Sequence, residues 1–399
     1  MRIALVNTLY SPLAVGGAAR SVEELAAAFA AEGHKVMVAT LGPEDRQIDP
    51  DTQPPGVVVE RLPAGSAFEP FDTDRPDLSK SRKLMWHARE TRRPTIEREL
   101  ASSLDAFDAD VVHTNNIAGF GLSAWRAARG RPLVHTMRDY YLVCTRSALF
   151  RDGEVCTQQC TPCRALKSPI RLVESRPDVF VGVSQAVVDQ HYRFRALGHD
   201  DRAEVIYNWP NLSPSPRAPI DASHSFTFGM LGRMGRDKGN WLAFEAYSDL
   251  PDNIRSRTRM LLAGYVAAED QWRLDAFLAA EPGAEYLGSN VPATDFYAST
   301  DCVLIPAQWM EPFGRVAAEA LLAGCSVVAS RIGGLPEAIK HFGGGMLVDE
   351  MNSVAAWTAA MVTAAQDGPK DPAIVRPKGL PVHESYLAIY RDLLQAQAE

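Results

Sequence analysis

The sequence predicts an α/β fold built from two doubly wound parallel sheets. Short β-branched runs alternate with longer amphipathic segments along nearly all of the 399 residues, which is the pattern of repeated βαβ units. The alternation forms two series, separated over 208–225 by a stretch rich in proline and serine. A chain of this length normally forms two domains. We therefore expect domains over 1–210 and 222–378, followed by a C-terminal helix over 379–399.

The first series opens with a strand over Arg2–Asn7, a loop at Gly16-Gly17, and a helix over Arg20–Ala31 that Gly33 ends. Its other strands are expected at Lys35–Thr40, Val57–Leu62, Val111–Thr114, Pro132–Thr136, Val179–Val183 and Glu204–Tyr207. The second series has strands at Phe226–Leu231, Met260–Ala263, Cys302–Ile305, Ser326–Ser330 and Met346–Val348. An isolated amphipathic pattern over Pro381–Gln397 predicts the last helix, which could pack on either domain.

Composition and charge exclude several classes of protein. The 41 Lys and Arg residues against 49 Asp and Glu residues give a net charge of −8, which disfavours nucleic-acid binding. The sequence contains no apolar run long enough to span a membrane and no signal-peptide core at its start, so we expect a cytoplasmic protein. Neither a G-x-G-x-x-G motif after a first strand nor a P-loop motif is present, which disfavours dinucleotide oxidoreductases and P-loop enzymes.

The strongest functional signal is the segment from Pro306 to Gly324. A strand ends at Ile305, a loop carries Glu311, and a helix is expected to begin near Gly314, where its free amides and positive dipole suit a phosphate. Glu319 lies about 7.5 Å further along that helix axis. Apolar residues surround Glu319, and an unpaired carboxylate there would be costly unless a ligand or a partner satisfies it. Two carboxylates at different depths beside a phosphate site suit two sets of sugar hydroxyls.

A basic glycine-rich turn follows the first strand of the second series. It runs from Gly232 to Gly239 and carries Arg233 and Lys238. Glycines allow close backbone approach to a ligand, and the two cations could neutralise a diphosphate.

These motifs together resemble the retaining glycosyltransferases of the GT-B fold, in particular glycosyltransferase family four. The resemblance rests on the Glu311 and Glu319 pair, the turn with Arg233 and Lys238, the Gly16-Gly17 loop, and the loop Ser330–Glu337. It covers nearly the whole chain. It implies two Rossmann-like domains facing a central cleft, with the C-terminal helix crossing back onto the N-terminal domain.

The resemblance also implies a role for each matching residue. Arg233 and Lys238 would stabilise the departing diphosphate, Glu311 would hold donor-sugar hydroxyls, and Glu319 would bind the nucleotide ribose. Catalysis would require no metal. The full donor-binding set is Gly16, Gly17, Gly232, Phe313, Gly314, Arg315, Val316 and Glu319.

The acceptor side is expected in the first domain, after its fourth and fifth strands. His113 stands at a strand end and is either a catalytic residue or a satisfied core histidine. Asp139 is the other catalytic candidate there, with a helix cap or a partner for Arg138 as its structural alternative. The remaining acceptor-side candidates are Asn115, Asn116, Arg138 and Tyr140.

The expected function is transfer of a sugar from a UDP- or GDP-sugar to a glycan, lipid-linked or small-molecule acceptor, in the biosynthesis of a cell-surface polysaccharide or glycoconjugate. Front-face displacement, in which the leaving phosphate helps to deprotonate the acceptor, is the mechanism that the family implies. The two alternatives are a sugar-nucleotide epimerase of the same architecture and a non-catalytic protein that binds nucleotide sugars.

Four of the six cysteines, Cys144, Cys156, Cys160 and Cys163, lie within twenty residues. In a cytoplasmic protein this clustering fits a structural zinc site, with disulfides or unligated thiols as alternatives. The zinc-bound loop over 144–163 would form a wall of the acceptor site.

The segment Lys80–Arg93 is basic, with interspersed apolar residues on an expected helix. A solvated helix face and a peripheral contact with anionic membrane lipids are the two interpretations.

Overall fold

The computed structural model describes residues 1–13, 16–42, 55–63, 80–212, 224–369 and 381–399. Contacts divide the chain into two units. The first comprises Met1–Ala148, Thr157–Asn208 and Leu380–Glu399, and the second comprises Leu149–Cys156 and Trp209–Gly379. Most of the predicted linker over 208–225 lies outside the described residues.

The first unit is built on a seven-stranded parallel sheet in the order β3-β2-β1-β4-β5-β8-β9. Its strands are β1 (Arg2–Val6), β2 (Lys35–Gly42), β3 (Val57–Pro63), β4 (Val111–Thr114), β5 (Leu133–Met137), β8 (Val179–Gly182) and β9 (Ala203–Val205). Its helices are α1 (Gly17–Ala31), α2 (Lys80–Arg89), α3 (Pro94–Phe107), α4 (Ser123–Ala127), α5 (Thr161–Lys167), α6 (Gln185–Arg193) and the C-terminal α14 (Val382–Ala398).

The second unit is built on a six-stranded parallel sheet in the order β12-β11-β10-β13-β14-β15. Its strands are β10 (Phe226–Leu231), β11 (Thr258–Ala263), β12 (Ala284–Tyr286), β13 (Cys302–Ile305), β14 (Ser326–Ser330) and β15 (Met346–Val348). Its helices are α7 (Asn240–Ser248), α8 (Asp252–Arg255), α9 (Gln271–Ala280), α10 (Ala293–Ala298), α11 (Arg315–Leu322), α12 (Leu335–Phe342) and α13 (Val354–Asp367).

These strand orders confirm the predicted fold class of two doubly wound parallel sheets. In each sheet the connections run outward in opposite directions from the first strand, which defines a switch point between β1 and β4 and another between β10 and β13. The predicted strands are present, with ends that differ by at most two residues. The strand β12 is absent from the prediction, because its sequence Ala-Glu-Tyr contains no β-branched residue.

One local expectation needs correction. Helix α1 begins at Gly17 and not at Arg20, so Gly16 is its N-cap and Gly17 is helical. The centre of the loop over 144–163 forms the hairpin of β6 (Phe150–Arg151) and β7 (Glu154–Val155), and its contacts group it with the second unit. Gly153 in that hairpin lies so near Arg236 that a Cβ would stand 2.2 Å from a guanidinium nitrogen.

Each unit has its own apolar core. The core of the first unit includes the inward side chains of β1, β2 and α1 together with four residues of α14, namely Tyr386, Leu387, Ile389 and Tyr390. The core of the second unit is formed by β10, β11, α7, α9 and α13. In the described ranges, none of the helices combines the length and the apolarity that crossing a bilayer requires.

Candidate active site

Three of the predicted site residues lie on two loops at the switch point of the second sheet. Arg233 and Lys238 follow β10, and Glu311 follows β13. Ligands of doubly wound sheets bind at the carboxyl ends of the strands that flank this point. The topology therefore gathers residues that are far apart in the sequence.

The two loops are packed directly against each other. The amide of Gln308 donates a hydrogen bond to the carbonyl of Asp237 over 2.8 Å. Gly239 has a φ of +73°, and a Cβ at this residue would stand 1.8 Å from the carbonyl oxygen of Pro306. Only glycine allows so close an approach.

A lysine, a glutamate and a tryptophan form the centre of the candidate site. The Lys238 ammonium donates to Oε2 of Glu311 over 2.8 Å, and the indole N–H of Trp309 donates to the same oxygen over 2.9 Å. The ammonium also lies 4.5 Å from the centre of the Trp309 ring. Within the described residues, Oε1 of Glu311 accepts no hydrogen bond. One carboxylate oxygen is thus fixed, and the other remains available to a ligand hydroxyl.

The loop after β14 contacts the backbone of Glu311 through two glycines. Gly333 has a φ of +56°, and a Cβ there would stand 2.1 Å from the Glu311 carbonyl oxygen. The amide of Gly334 donates to that carbonyl over 2.8 Å. The backbone of Glu311 is therefore held by a second loop, which explains the position of the Ser330–Glu337 motif.

Arg233 lies at the exposed edge of the same site. Its guanidinium pairs with Asp237, and half of its side chain, 50%, remains exposed. The preceding Gly232 has a φ of +122°, and no atom lies within 4 Å of the place where its Cβ would be. This turn therefore presents a cation and unobstructed backbone.

Glu319 is a buried carboxylate with two internal partners. It is 5% exposed. Its Oε1 accepts from Nε of Arg315 over 2.9 Å, and its Oε2 accepts from the Tyr297 hydroxyl over 2.9 Å. Burial, and then the charge of Glu319, raise the pKa of Tyr297 well above its usual value. The partner that the sequence argument required is thus supplied by the protein itself, and ribose binding by Glu319 stays a prediction.

The other predicted donor-site residues surround the start of α11. Gly314 is the N-cap of this helix, with a φ of +93°. Phe313 is buried and meets the ring of Trp209 edge-on, with centroids 6.3 Å apart. Val316 is half-buried in the first turn. Gly16 and Gly17 are exposed at the start of α1 in the first unit, and their part in donor binding stays a prediction.

His113 is part of the core of the first unit. Its side chain has no exposed surface, and its ring nitrogens lie 2.7 Å from the Thr136 hydroxyl and 2.6 Å from the Tyr390 hydroxyl. Burial, followed by the charge of Arg138, holds its pKa well below the usual value. A neutral, wholly hydrogen-bonded imidazole fits the core alternative better than a role in the reaction.

A second network joins the remaining acceptor-side candidates. Arg138 is buried and donates to the side-chain oxygens of Asn115 and Asn208 over 2.8 and 3.1 Å. Tyr140 is also buried, with its ring stacked on His191 at 5.9 Å.

Asp139 is half-buried and accepts two hydrogen bonds. They come from the Asn116 side-chain amide over 2.7 Å and from the Tyr141 backbone amide over 2.8 Å. Burial raises the pKa of Asp139 to about 6, against the opposing effects of the Tyr141 amide and the Lys167 charge. Asp139 and Asn116 are therefore adjacent, as the acceptor-side hypothesis requires, and Asp139 does not pair with Arg138 in any hydrogen bond of the described residues.

None of the four clustered cysteines forms a disulfide within the described residues. Cys144 and Cys163 are buried and hydrogen-bonded to each other, which together with burial raises the pKa of the Cys163 thiol to about 12. In the described part of the chain, no three of the four sulphurs lie within 4.8 Å of one another. This arrangement is not a formed four-thiolate centre, so zinc binding stays a prediction and no role is derived from it.

Three residues that hold the predicted ones were not expected from the sequence. Trp309, Tyr297 and Asp237 fix Glu311, Glu319 and Arg233 respectively. Trp309 could have been found, because it stands two residues before Glu311 in the same loop. Tyr297 comes from α10, and nothing in the sequence indicates that it meets α11.

Comparison with known proteins defines the class of the chain. Residues 16–209 match the family described as glycosyl transferase 4-like domain, and residues 218–376 match glycosyl transferases group 1. With the two doubly wound sheets, these matches define a glycosyltransferase of the GT-B fold. The chain belongs to glycosyltransferase family four, the group 1 glycosyltransferases. These matches do not favour the epimerase and non-catalytic alternatives.

Individual relatives cover most of the chain. An uncharacterized 42.6 kDa protein in the cps region of Klebsiella pneumoniae is 29% identical, covering 84% of this chain and 87% of its own length. The D-inositol 3-phosphate glycosyltransferase of Pseudarthrobacter chlorophenolicus is 27% identical, covering 92% and 87%. Among solved structures, Anabaena Alr3699/HepE in complex with UDP and glucose aligns with a TM-score of 0.65 and 18% identity, over 99% of this chain and 98% of its own.

Proposed function

We propose that this glycosyltransferase transfers a sugar, with retention of configuration, from a UDP- or GDP-sugar to a glycan or lipid-linked acceptor in polysaccharide biosynthesis. The observation that carries the donor class is the Lys238–Glu311–Trp309 group at the switch point of the second sheet. The UDP and glucose named in the Anabaena structure and the cps region named for the Klebsiella relative support the same class of reaction.

In this proposal the cations act on the diphosphate. Lys238 and Arg233 stabilise the negative charge that develops as the leaving phosphate departs. The first-turn amides of α11 add the positive end of its helix dipole. Each cation already has a carboxylate beside it, Glu311 or Asp237, so its position is fixed before the donor binds.

The two carboxylates bind hydroxyl groups at opposite ends of the donor. The available Oε1 of Glu311 accepts a hydroxyl of the donor sugar, while Oε2 stays bound to Lys238 and Trp309. Glu319, held by Arg315 and Tyr297, binds the ribose hydroxyls. A carboxylate held by neighbours in this way loses little side-chain entropy on binding a ligand.

The reaction proceeds by front-face displacement. The acceptor oxygen forms a bond to the anomeric carbon as the bond from that carbon to the leaving phosphate breaks. The acceptor proton passes to the leaving phosphate. The acceptor is held by residues of the first unit, with Asn116 and Asp139 as the proposed contacts.

The donor test is a panel of UDP- and GDP-sugars added to the full chain. Binding to the folded state raises the apparent melting temperature, so the true donor is identified by the largest shift. Transfer is then measured with that donor, and the anomeric configuration of the product is read by NMR. Inversion of configuration would contradict the proposed mechanism while leaving the donor assignment intact.

The site test compares two isosteric variants. Glu311→Gln is expected to lower kcat about 100-fold or more, because it loses the carboxylate that pairs with Lys238. Glu350→Gln, at an exposed position, is the matched control and should keep wild-type activity. Equal activity of the two variants would remove Glu311 from the site.

A further inference from the structure

The first unit contains a solvent-open cavity lined by exposed arginines, and none of its lining residues is part of the candidate active site. Its volume is about 450 Å³, and its lining includes Arg164, Arg171, Arg193 and Arg195. No Asp or Glu of the described residues lines it. In a chain with a net charge of −8, four arginines that line one pocket are a strong local concentration of positive charge.

The four arginines of this cavity have no carboxylate partner in the described part of the chain. Arg176, which lies beside the cavity, shows the contrast. Its guanidinium binds both oxygens of Asp201, over 3.0 and 2.7 Å, so its charge is already neutralised. The charges of the four lining arginines are therefore available to an external anion.

Backbone contacts hold two of these guanidiniums in place. Arg171 donates to the carbonyl of Phe194 over 3.1 Å, and Arg193 donates to the carbonyl of Thr157 over 2.8 Å. Burial, and then the positive charges of Arg195 and Arg176, lower the pKa of Arg171. The mutual repulsion of these cations would be relieved by an anion between them.

The backbone at Arg195 is consistent with a role for its side chain. Arg195 follows the C-terminal end of α6 with a φ of +59°. This left-handed position after a helix is normally occupied by glycine, because other residues are strained there. An arginine at this point strains the backbone, but it adds a cation to the cavity.

We propose that this arginine-lined cavity binds the phosphate group of a ligand, as a phosphate ester or a diphosphate. Guanidinium groups match phosphate oxygens with paired hydrogen bonds, and the volume is in the range of small-molecule sites. The phosphate could be carried by a soluble molecule or by a lipid headgroup. Leu172, next to Arg171 and 81% exposed, would contact the acyl region in the second case.

The test uses a variant of the cavity and a control of equal charge. The variant is Arg164→Gln with Arg195→Gly, in which glycine suits the left-handed backbone and should preserve the fold. The control is Arg98→Gln with Arg257→Gln, two exposed arginines elsewhere. Both pairs are introduced into a chain that already carries Arg233→Ala and Lys238→Ala, so that the donor site does not bind the probe.

Two probes distinguish the sources of the phosphate. Inorganic pyrophosphate, measured by calorimetry, represents a soluble ligand, and flotation with phosphatidylglycerol vesicles represents a headgroup. The cavity variant should bind at least one probe about tenfold more weakly than the control, a difference of about 1.4 kcal/mol. If the cavity variant binds pyrophosphate more weakly than the control does, the ligand is a soluble phosphate. If only its binding to vesicles is weaker, the ligand is a lipid headgroup.

Equal binding of both probes by the variant and the control would overturn the proposal. Thermal unfolding of both proteins checks that the fold is intact. Because the donor-site cations are absent from both proteins, this result does not depend on the proposed transferase mechanism.

Discussion

At the scale of single residues, the candidate site depends on Trp309 as much as on the charged pair it touches. Its indole N–H and the Lys238 ammonium share one oxygen of Glu311, which leaves the other oxygen facing a ligand. Without the indole donor, Glu311 could rotate and offer either oxygen. Trp309 is thus a positioning residue for the carboxylate.

The variant Trp309→Phe tests this role, because it keeps an aromatic ring beside Lys238 and removes the N–H. We expect kcat to fall about tenfold, the value of one charge-assisted hydrogen bond. The melting temperature should stay within one or two degrees of the wild type, on the order expected for a partly exposed contact. Trp272→Phe, whose side chain is 60% exposed, is the control. An unchanged kcat with a lowered melting temperature would indicate a purely structural tryptophan.

The raised pKa of Asp139 predicts a pH dependence of the stability, because burial raises that pKa from 3.8 to about 6. Between these two values the unfolded chain has lost the proton that the folded protein keeps. The free energy of unfolding therefore falls as the pH rises from about 4 to about 6, and this contribution is constant above that range.

Asp139→Asn should remove this contribution. The side-chain oxygen of Asn116, which is buried without a hydrogen-bond partner in the described residues, can accept from the new amide after a flip. Relative to the wild type, the variant should gain stability as the pH rises through this range. Urea unfolding at several pH values measures the difference, and a pH-independent difference would contradict the raised pKa.

At the scale of elements, α14 is joined to the first sheet by polar contacts as well as by its apolar face. The Tyr390 hydroxyl binds His113, and the Tyr386 hydroxyl lies 2.9 Å from that of Thr136. The position of His113 at a strand end makes it a candidate for catalysis in the sequence. Its contact with Tyr390 of α14, 277 residues away, accounts for its position in the core.

Tyr390→Phe is expected to lower the free energy of unfolding by about 1–3 kcal/mol, because it leaves a buried ring nitrogen of His113 without its partner. Chemical denaturation monitored in the first unit measures this loss. Tyr265→Phe, at a tyrosine that is 51% exposed, should change little. Equal stability of the two variants would show that the hydroxyl contributes nothing to the attachment of α14.

At the scale of the whole molecule, the first unit includes a helix that follows the second unit in the sequence. Its core contains Tyr386, Leu387, Ile389 and Tyr390 of α14, so a distant segment of the chain contributes to this unit. The second unit contains no residue of α14. Loss of the last helix should therefore affect the two units unequally.

Ending the chain before Val382 should raise hydrogen exchange throughout β1, β2 and β4, while exchange in β10, β11 and β13 stays as in the intact protein. The control is a chain that lacks only the exposed residues 395–399, which should exchange like the wild type. If the first truncation raised hydrogen exchange equally in both sheets, the two units would unfold together.

The sequence by itself determined the two parallel sheets, all of their strands except β12, and the start of α11, because these depend on local periodicity and on glycine. It also determined that Lys238, Glu311 and Glu319 share one edge of a sheet, since strand ends of a doubly wound sheet converge. Only the tertiary structure decided how the buried side chains are paired, because Tyr297 and Tyr390 act through contacts between separate elements. A hydrogen bond across elements depends on packing geometry, which leaves no periodic trace in the sequence.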